Sequence, residues 1–294
     1  MLKIKNTIVT GFEAAIRGMR NPFLSYERSD SWFRHSDLYY HKITGEIRVT
    51  DELIDPDDYT PDYILGPNDK DLMKRLASSG SDHAKYRRFI GVTADVTAPL
   101  YWWKEHDQYK VGTVTNSCST MHKIAAKEFT MEDFSCEHLG YFDPERYDDD
   151  QPYLGTAVEV NGGDHWYPVD VLADIIVVLN HNREMYLETK DKRYWWQMIQ
   201  LLPSSYNQRR TIMLNYEVLA NIYHARRNHR LDEWHTFCDW IETLPESWII
   251  IGKSEDDRVN ELYSSHVMLS REFCFPTSDE KAEANTENLV DDGK

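Results

Sequence analysis

The sequence predicts an α+β fold, with a small antiparallel or mixed sheet early in the chain and a helical layer dominating the second half. Three observations predict it. Residues 89–97 alternate apolar and polar with a period of two, while three later stretches repeat their apolar residues at helical spacing. No linker-like break interrupts residues 1–276, so one domain is expected there.

Taken in order, Asn68 can cap a helix over residues 69–77, with Leu72, Met73 and Leu76 on one face. In the stretch 89–97, Ile90, Val92, Ala94 and Val96 alternate with Gly91, Thr93, Asp95 and Thr97, the pattern of a strand with one buried face. Pro99 suits the first turn of a helix running to about Asp107. Thr130 to Asp133 form an approximate capping box before a short helix. Pro168 opens a helix carrying Val169, Leu172, Ile175, Ile176 and Leu179. Residues 206–227 form the longest helical pattern, with Ile212, Leu219 and Ile222 on a face. The last helix covers 231–244, presents Leu231, Trp234, Phe237, Cys238 and Ile241, and stops before Pro245.

The 294 residues hold 50 acidic and 33 basic side chains, a formal charge of −17. That charge argues against a nucleic-acid polymer or an anionic membrane as partner, because both require a basic face. No apolar run reaches the ~20 residues of a membrane span, and the first ten residues lack the apolar core of a signal peptide. Four cysteines without C-x-x-C spacing read as reduced thiols of a cytoplasmic protein. Much of the acid lies in two blocks, 51–58 and 143–150, which read as solvated loops because neither has the spaced ligands of a calcium loop. Residues 277–294, with six acids and two lysines, read as a disordered tail.

Against this background the basic clusters are informative. They are Lys85, Arg87 and Arg88; Arg209 and Arg210; and Arg226, Arg227, His229 and Arg230. Read as one helix, Arg209 and Arg226 stand about 25 Å apart at ~1.5 Å per residue, too far to share a small anion within one chain. Cations at a helix C-terminus complement its dipole, which is a structural role for Arg226 and Arg227. Arg209 and Arg210 gain nothing from that effect and point instead to a phosphate or a buried carboxylate. His224, His229 and His235 do not stack on one helical face, which argues against zinc. Trp102–Trp103 and Trp195–Trp196 read as core or interface residues.

The order of these pieces resembles the flavin-dependent thymidylate synthases. A helix, His83, a strand, and Ala98-Pro99-Leu100-Tyr101 precede a polar run in both. The family signature R-H-R-x-x-S-x-N-E-x-S-x-R-Y falls on Gln108 to Met121, and a later Leu-Pro, Asn and Arg framework is similar to Leu202-Pro203, Asn215, Leu219, Asn221 and Arg226. The resemblance covers residues 68–120 and 200–236, and leaves 21–65 and 137–166 as insertions. Lys110 keeps one signature charge and Thr113 one hydroxyl, while Cys118 replaces a serine. Gln108-Tyr109 replace Arg-His, Thr115-Asn116 replace Asn-Glu, and Thr120 replaces an arginine.

The resemblance implies a homotetramer binding FAD and deoxyuridylate between subunits, with a methylene-folate as carbon donor and NADPH as reductant. It assigns His83, Lys110 and Arg226 to the flavin, and Thr113, Cys118 and Arg209 to the nucleotide. The missing cations leave a second expectation open, a catalytically silent nucleotide-binding or structural protein on the same scaffold. A third is an unrelated α+β protein whose basic clusters pair with its own acids.

Overall fold

A four-stranded antiparallel sheet organises the chain, in the order β1 (Lys3–Thr10), β6 (Gly91–Pro99), β10 (Asn207–Asn215) and β7 (Val114–Ser117). The computed structural model describes residues 2–35, 38–40, 47–49, 63–140, 158–160 and 164–252. The acidic blocks 51–58 and 143–150, the tail 277–294 and the domain boundary at 276 lie outside the described residues. Met1–Ile251 form one compact unit.

After β1 come α1 (Phe12–Arg20) and a smaller sheet in the order β4 (Ile47–Val49), β3 (Leu38–Tyr40), β2 (Trp32–His35) and β5 (Tyr63–Ile64). Next are α2 (Pro67–Ser78), α3 (Leu100–His106), α4 (Thr120–Lys123) and a hairpin of β8 (Val158–Val160) and β9 (Asp164–Trp166). The remaining helices are α5 (Pro168–Thr189), α6 (Lys192–Leu201), α7 (Tyr216–Arg226), α8 (Asp232–Glu242) and α9 (Trp248–Ile251).

The expected strand is β6, shifted two residues later, and its alternation is physical: Val92, Ala94 and Val96 are buried while Thr93, Asp95 and Thr97 are half-exposed. Its inner face, with Ile212 and Leu214 of β10, packs in one core with α1, α2, α3, α7 and α8. Trp102, Trp103, Trp234 and Phe237 are completely buried there, as core residues. A second core unites Ile124, Phe129 and Phe134 with Leu172, Ile176 and Leu179 of α5 and Met198 of α6.

Two local expectations are corrected. Helix α2 starts one residue before Asn68, and its first amides are capped from outside: the Asp30 carboxylate accepts from the Asn68 and Asp69 N–H groups at 3.0 and 3.2 Å. Residues 206–227 are not one helix. The first part is β10, pinned between β6 and β7, and only Tyr216–Arg226 is helical, with the Asn215 side chain accepting from Val218 N–H. Sheet pairing overrides the helical spacing, because a strand at this position satisfies the backbone groups of both neighbours.

The joint between β1 and α1 depends on Gly11, at φ 96°. A Cβ there would stand 2.0 Å from the Phe89 carbonyl oxygen. Gly11→Ala combines a left-handed backbone with a backbone clash. Its urea midpoint should fall by the equivalent of more than about 1 kcal/mol. An unchanged midpoint would show that the joint can relax.

Candidate functional site

Because Arg209 and Arg210 are neighbours on a strand, they point to opposite faces of the sheet. Arg210 turns inward and is 14% exposed; its Nε donates to Gln208 Oε1 at 2.9 Å, its Nη1 to Asp107 Oδ1 at 2.8 Å, and its plane lies 4.2 Å over the Trp103 ring. Arg209 turns outward and is 63% exposed, with Nη2 donating to Asp95 Oδ2 at 2.5 Å. Asp95 also accepts from Thr211 Oγ1 at 2.6 Å and Asn6 Nδ2 at 2.8 Å. The Thr211 and Asn6 bonds, with the arginine, hold the Asp95 carboxyl down at about 2.

Arg209 belongs to a row across the end of the sheet. Lys3 pairs with Thr97, Thr97 pairs with Arg209, and the Arg209 carbonyl accepts from Cys118 N–H at 3.1 Å. Beside this row lies a cleft of about 250 Å³, lined by Lys3, Cys118, Ser119, Thr120, Lys123 and Arg209 among others. Its lining holds four cations (Lys3, Lys123, Lys127, Arg209) and two carboxylates (Glu132, Asp133). Lys127 is paired with Asp133. Lys3 and Lys123 make no ion pair among the described residues. In a chain of charge −17, this is a local basic pocket supplied with hydroxyls, the chemistry that receives a phosphate.

The structure thus brings Cys118 and Arg209 to one cleft. Thr113 and Lys110 lie instead on the turn between α3 and β7, where Lys110 is exposed and Thr113 Oγ1 is buried without a hydrogen-bond partner among the described residues. Arg226 reaches the same turn: its Nε donates to Tyr109 OH at 2.9 Å and its Nη1 to Glu105 Oε2 at 2.8 Å, while its plane lies 4.8 Å over Trp234. Trp234 Nε1 donates to the same Glu105 oxygen at 3.0 Å, so Arg226 ties α3, α7 and α8 together. His83 is exposed on the turn before the 3-10 segment Ala84–Phe89. None of the contacts described links His83 to either group.

The helical reading of 206–227 hides the placement of Lys3 and Asp95 near Arg209. Only the register of β1, β6 and β10 sets Lys3 and Asp95 beside Arg209. Asp95 is nonetheless visible in the sequence as the charged residue on the polar side of the β6 alternation. No cluster of metal-ligating side chains occurs among the described residues. A larger cleft, about 550 Å³, lies between α2 and the segment after α1. Its lining balances Arg28 and Arg75 against Glu27 and Asp71, and Arg20 there is neutralised by Asp69, so it offers no net charge for a phosphate.

An antiparallel sheet with one polar face, backed by helices, defines an α+β fold, and it is similar to the fold of flavin-dependent thymidylate synthase. Two solved structures of thymidylate synthase X from Helicobacter pylori, both with FAD and dUMP, share it at a TM-score of 0.51. One is 15% identical and aligns over 85% of this chain and 96% of its own; the other is 16% identical over 87% and 99%. A UMP/dUMP methylase from Streptomyces cacaoi, bound with 5-Br UMP, aligns more weakly, with a TM-score of 0.40 and 16% identity over 60% of this chain and 76% of its own. No family model and no curated protein sequence matches the chain.

Proposed function

We propose that this protein binds a pyrimidine deoxynucleotide of the dUMP type and holds its phosphate in the cleft beside Arg209. The observation that carries this reading is the row Lys3–Thr97–Arg209–Cys118, where Lys3, without an ion pair among the described residues, and Arg209, paired through one nitrogen only, line one small cavity in an acidic protein. The likeness of fold to a protein crystallised with dUMP supports it. A charge-assisted hydrogen bond is worth about 1.5–3 kcal/mol, so Arg209→Ala should weaken dUMP binding about 10- to 100-fold by calorimetry. Equal affinity of the variant and the parent protein sinks this reading.

A flavin does not fit the described residues of one chain. Arg226 is occupied by Glu105 and Tyr109, and Gln108, Tyr109 and Thr120 stand where the family signature has cations or its histidine. A second reading retains the family activity, one-carbon or methyl transfer with FAD, NADPH and a methylene-folate. In it His83, Lys110 and Arg226 meet the flavin, Thr113 joins Cys118 and Arg209 at the nucleotide, and a second copy completes the site. The exposed apolar side chains of Val177, Val178, Leu187, Trp196 and Leu201 on α5 and α6 support a homo-oligomer, a tetramer by the resemblance.

An absorption spectrum after addition of FAD separates the two readings. Retained flavin bands favour the second, and a colourless protein that still binds dUMP favours the first. A cytoplasmic location belongs to this reading, from four cysteines without C-x-x-C spacing. No helix of the described residues is long and apolar enough to cross a membrane.

A further inference from the structure

We propose that Asp95 is the positioning residue of the anion cleft, holding the Arg209 guanidinium by one nitrogen and leaving its other donors to the ligand. This rests on the nucleotide reading and names the side chain through which that site is pre-organised. Asp95 is not one half of a loose surface pair. It is 15% exposed against 63% for Arg209, and it takes donors from both neighbouring strands. Thr211 lies directly opposite it on β10, and Asn6 reaches it from an irregularity in β1 between Lys5 and Ile8, with Asn6 itself at φ 54°. Asparagine tolerates that left-handed backbone better than most residues, which lets the bulge aim its amide at the carboxylate.

Arg209 uses only Nη2 in this contact, and its Nε and Nη1 have no partner among the described residues. Arg210, one residue on, has Nε and Nη1 bonded and its plane stacked on Trp103. Of the two, Arg209 is the one left with a free donor edge. An exposed arginine otherwise samples many rotamers, and ordering it on binding weakens a complex. With Asp95 in place that ordering precedes the ligand. Asp95 stays ionised across the neutral range, so the restraint is constant there.

Coulomb attraction and positioning predict opposite signs for Asp95→Ala. Removal of a carboxylate beside the cleft raises anion affinity if charge alone matters. Under positioning, titration of inorganic phosphate and of dUMP into Asp95→Ala gives about five- to twentyfold weaker binding. Asp95→Asn, which keeps an acceptor for Arg209, recovers most of the loss. In an Arg209→Ala background Asp95→Ala adds nothing further. Binding by Asp95→Ala as tight as the parent or tighter overturns the proposal. A second measurement needs no ligand: the Arg209 Nη2–H resonance, from the nitrogen that donates to Asp95, should be resolved in the free parent protein and lost to exchange in Asp95→Ala. An Nη2–H resonance unaltered in Asp95→Ala overturns positioning. Equal phosphate binding by the parent and Arg209→Ala, with the resonance still lost in Asp95→Ala, removes the nucleotide reading while leaving the Asp95–Arg209 restraint standing.

Discussion

Asp69→Ala is expected to lower the unfolding free energy by about 3–5 kcal/mol, the largest effect foreseen for a single polar side chain here. Asp69 is fully buried, and its carboxylate accepts from Arg20 Nε at 2.6 Å, Ser31 Oγ at 2.6 Å, Ser29 Oγ at 2.8 Å and Asp30 N–H at 3.2 Å. Arg20 is 3% exposed, and its other nitrogens donate to the carbonyls of Ser25 at 3.0 Å and Arg28 at 3.1 Å. One ion pair therefore fastens α1, α2 and the segment 25–31. Truncating the acid leaves a buried guanidinium and two hydroxyls without their acceptor, which costs more than the pair itself contributes. Urea denaturation should give a similar loss for Arg20→Ala, and the double variant should lose less than the sum of the two. A midpoint shift worth less than about 1 kcal/mol for Asp69→Ala would rule the account out.

The second large effect is a pH dependence carried by His106. This side chain is 1% exposed, stacks on Trp102 at 5.1 Å, meets Trp103 edge-on at 5.2 Å and lies 6.1 Å from Phe237. Neither ring nitrogen has a hydrogen-bond partner among the described residues. Burial pushes its pKa down from 6.5 to about 4, with Asp107 opposing and Arg210 assisting. The folded protein thus holds a neutral imidazole where the unfolded chain would take a proton. Stability is full above pH 6.5 and falls between 6.5 and 4, because there the unfolded state binds more protons. The loss amounts to about 3 kcal/mol by pH 4, at 1.36 kcal/mol per pKa unit. His106→Leu keeps an apolar side chain of similar size in the site and should lack this component, so the difference between the two stability curves isolates it from the carboxylates. Parallel curves from pH 7 to pH 4.5 would dismiss the histidine as the cause.

These predictions mark where sequence reasoning reaches its limit. The pair Trp102–Trp103 reads as core and is core, but nothing local announces that His106, one turn later, joins them without a polar partner. The family spacing singles out Cys118, and the basic cluster singles out Arg209. Their common cleft was not legible, because it depends on Lys3, some two hundred residues away in the chain and brought alongside through β6. The six expected site residues divide between the cleft, the turn before β7 and the turn at His83, a division that spacing along the chain cannot express.

What the sequence determined by itself is what short-range periodicity encodes. The alternation that makes β6 one-sided, the apolar stripes of α2, α5 and α8, the capping box at Thr130 and the stop at Pro245 all arise from residues a few positions apart. The acidic surplus against which a basic pocket stands out is equally a property of composition. Tertiary structure alone decided that residues 207–215 are a strand. Their buried face carries Gln208 and Arg210 as well as Ile212 and Leu214, so the apolar alternation is broken at the two positions nearest the cleft. Those polar side chains are tolerated inside only because Trp103, Asp107 and Cys118 meet them from other elements. The same pairing that settled the strand turned Arg209 outward beside Lys3 and Asp95, because strand neighbours face opposite ways and only register says which cations converge.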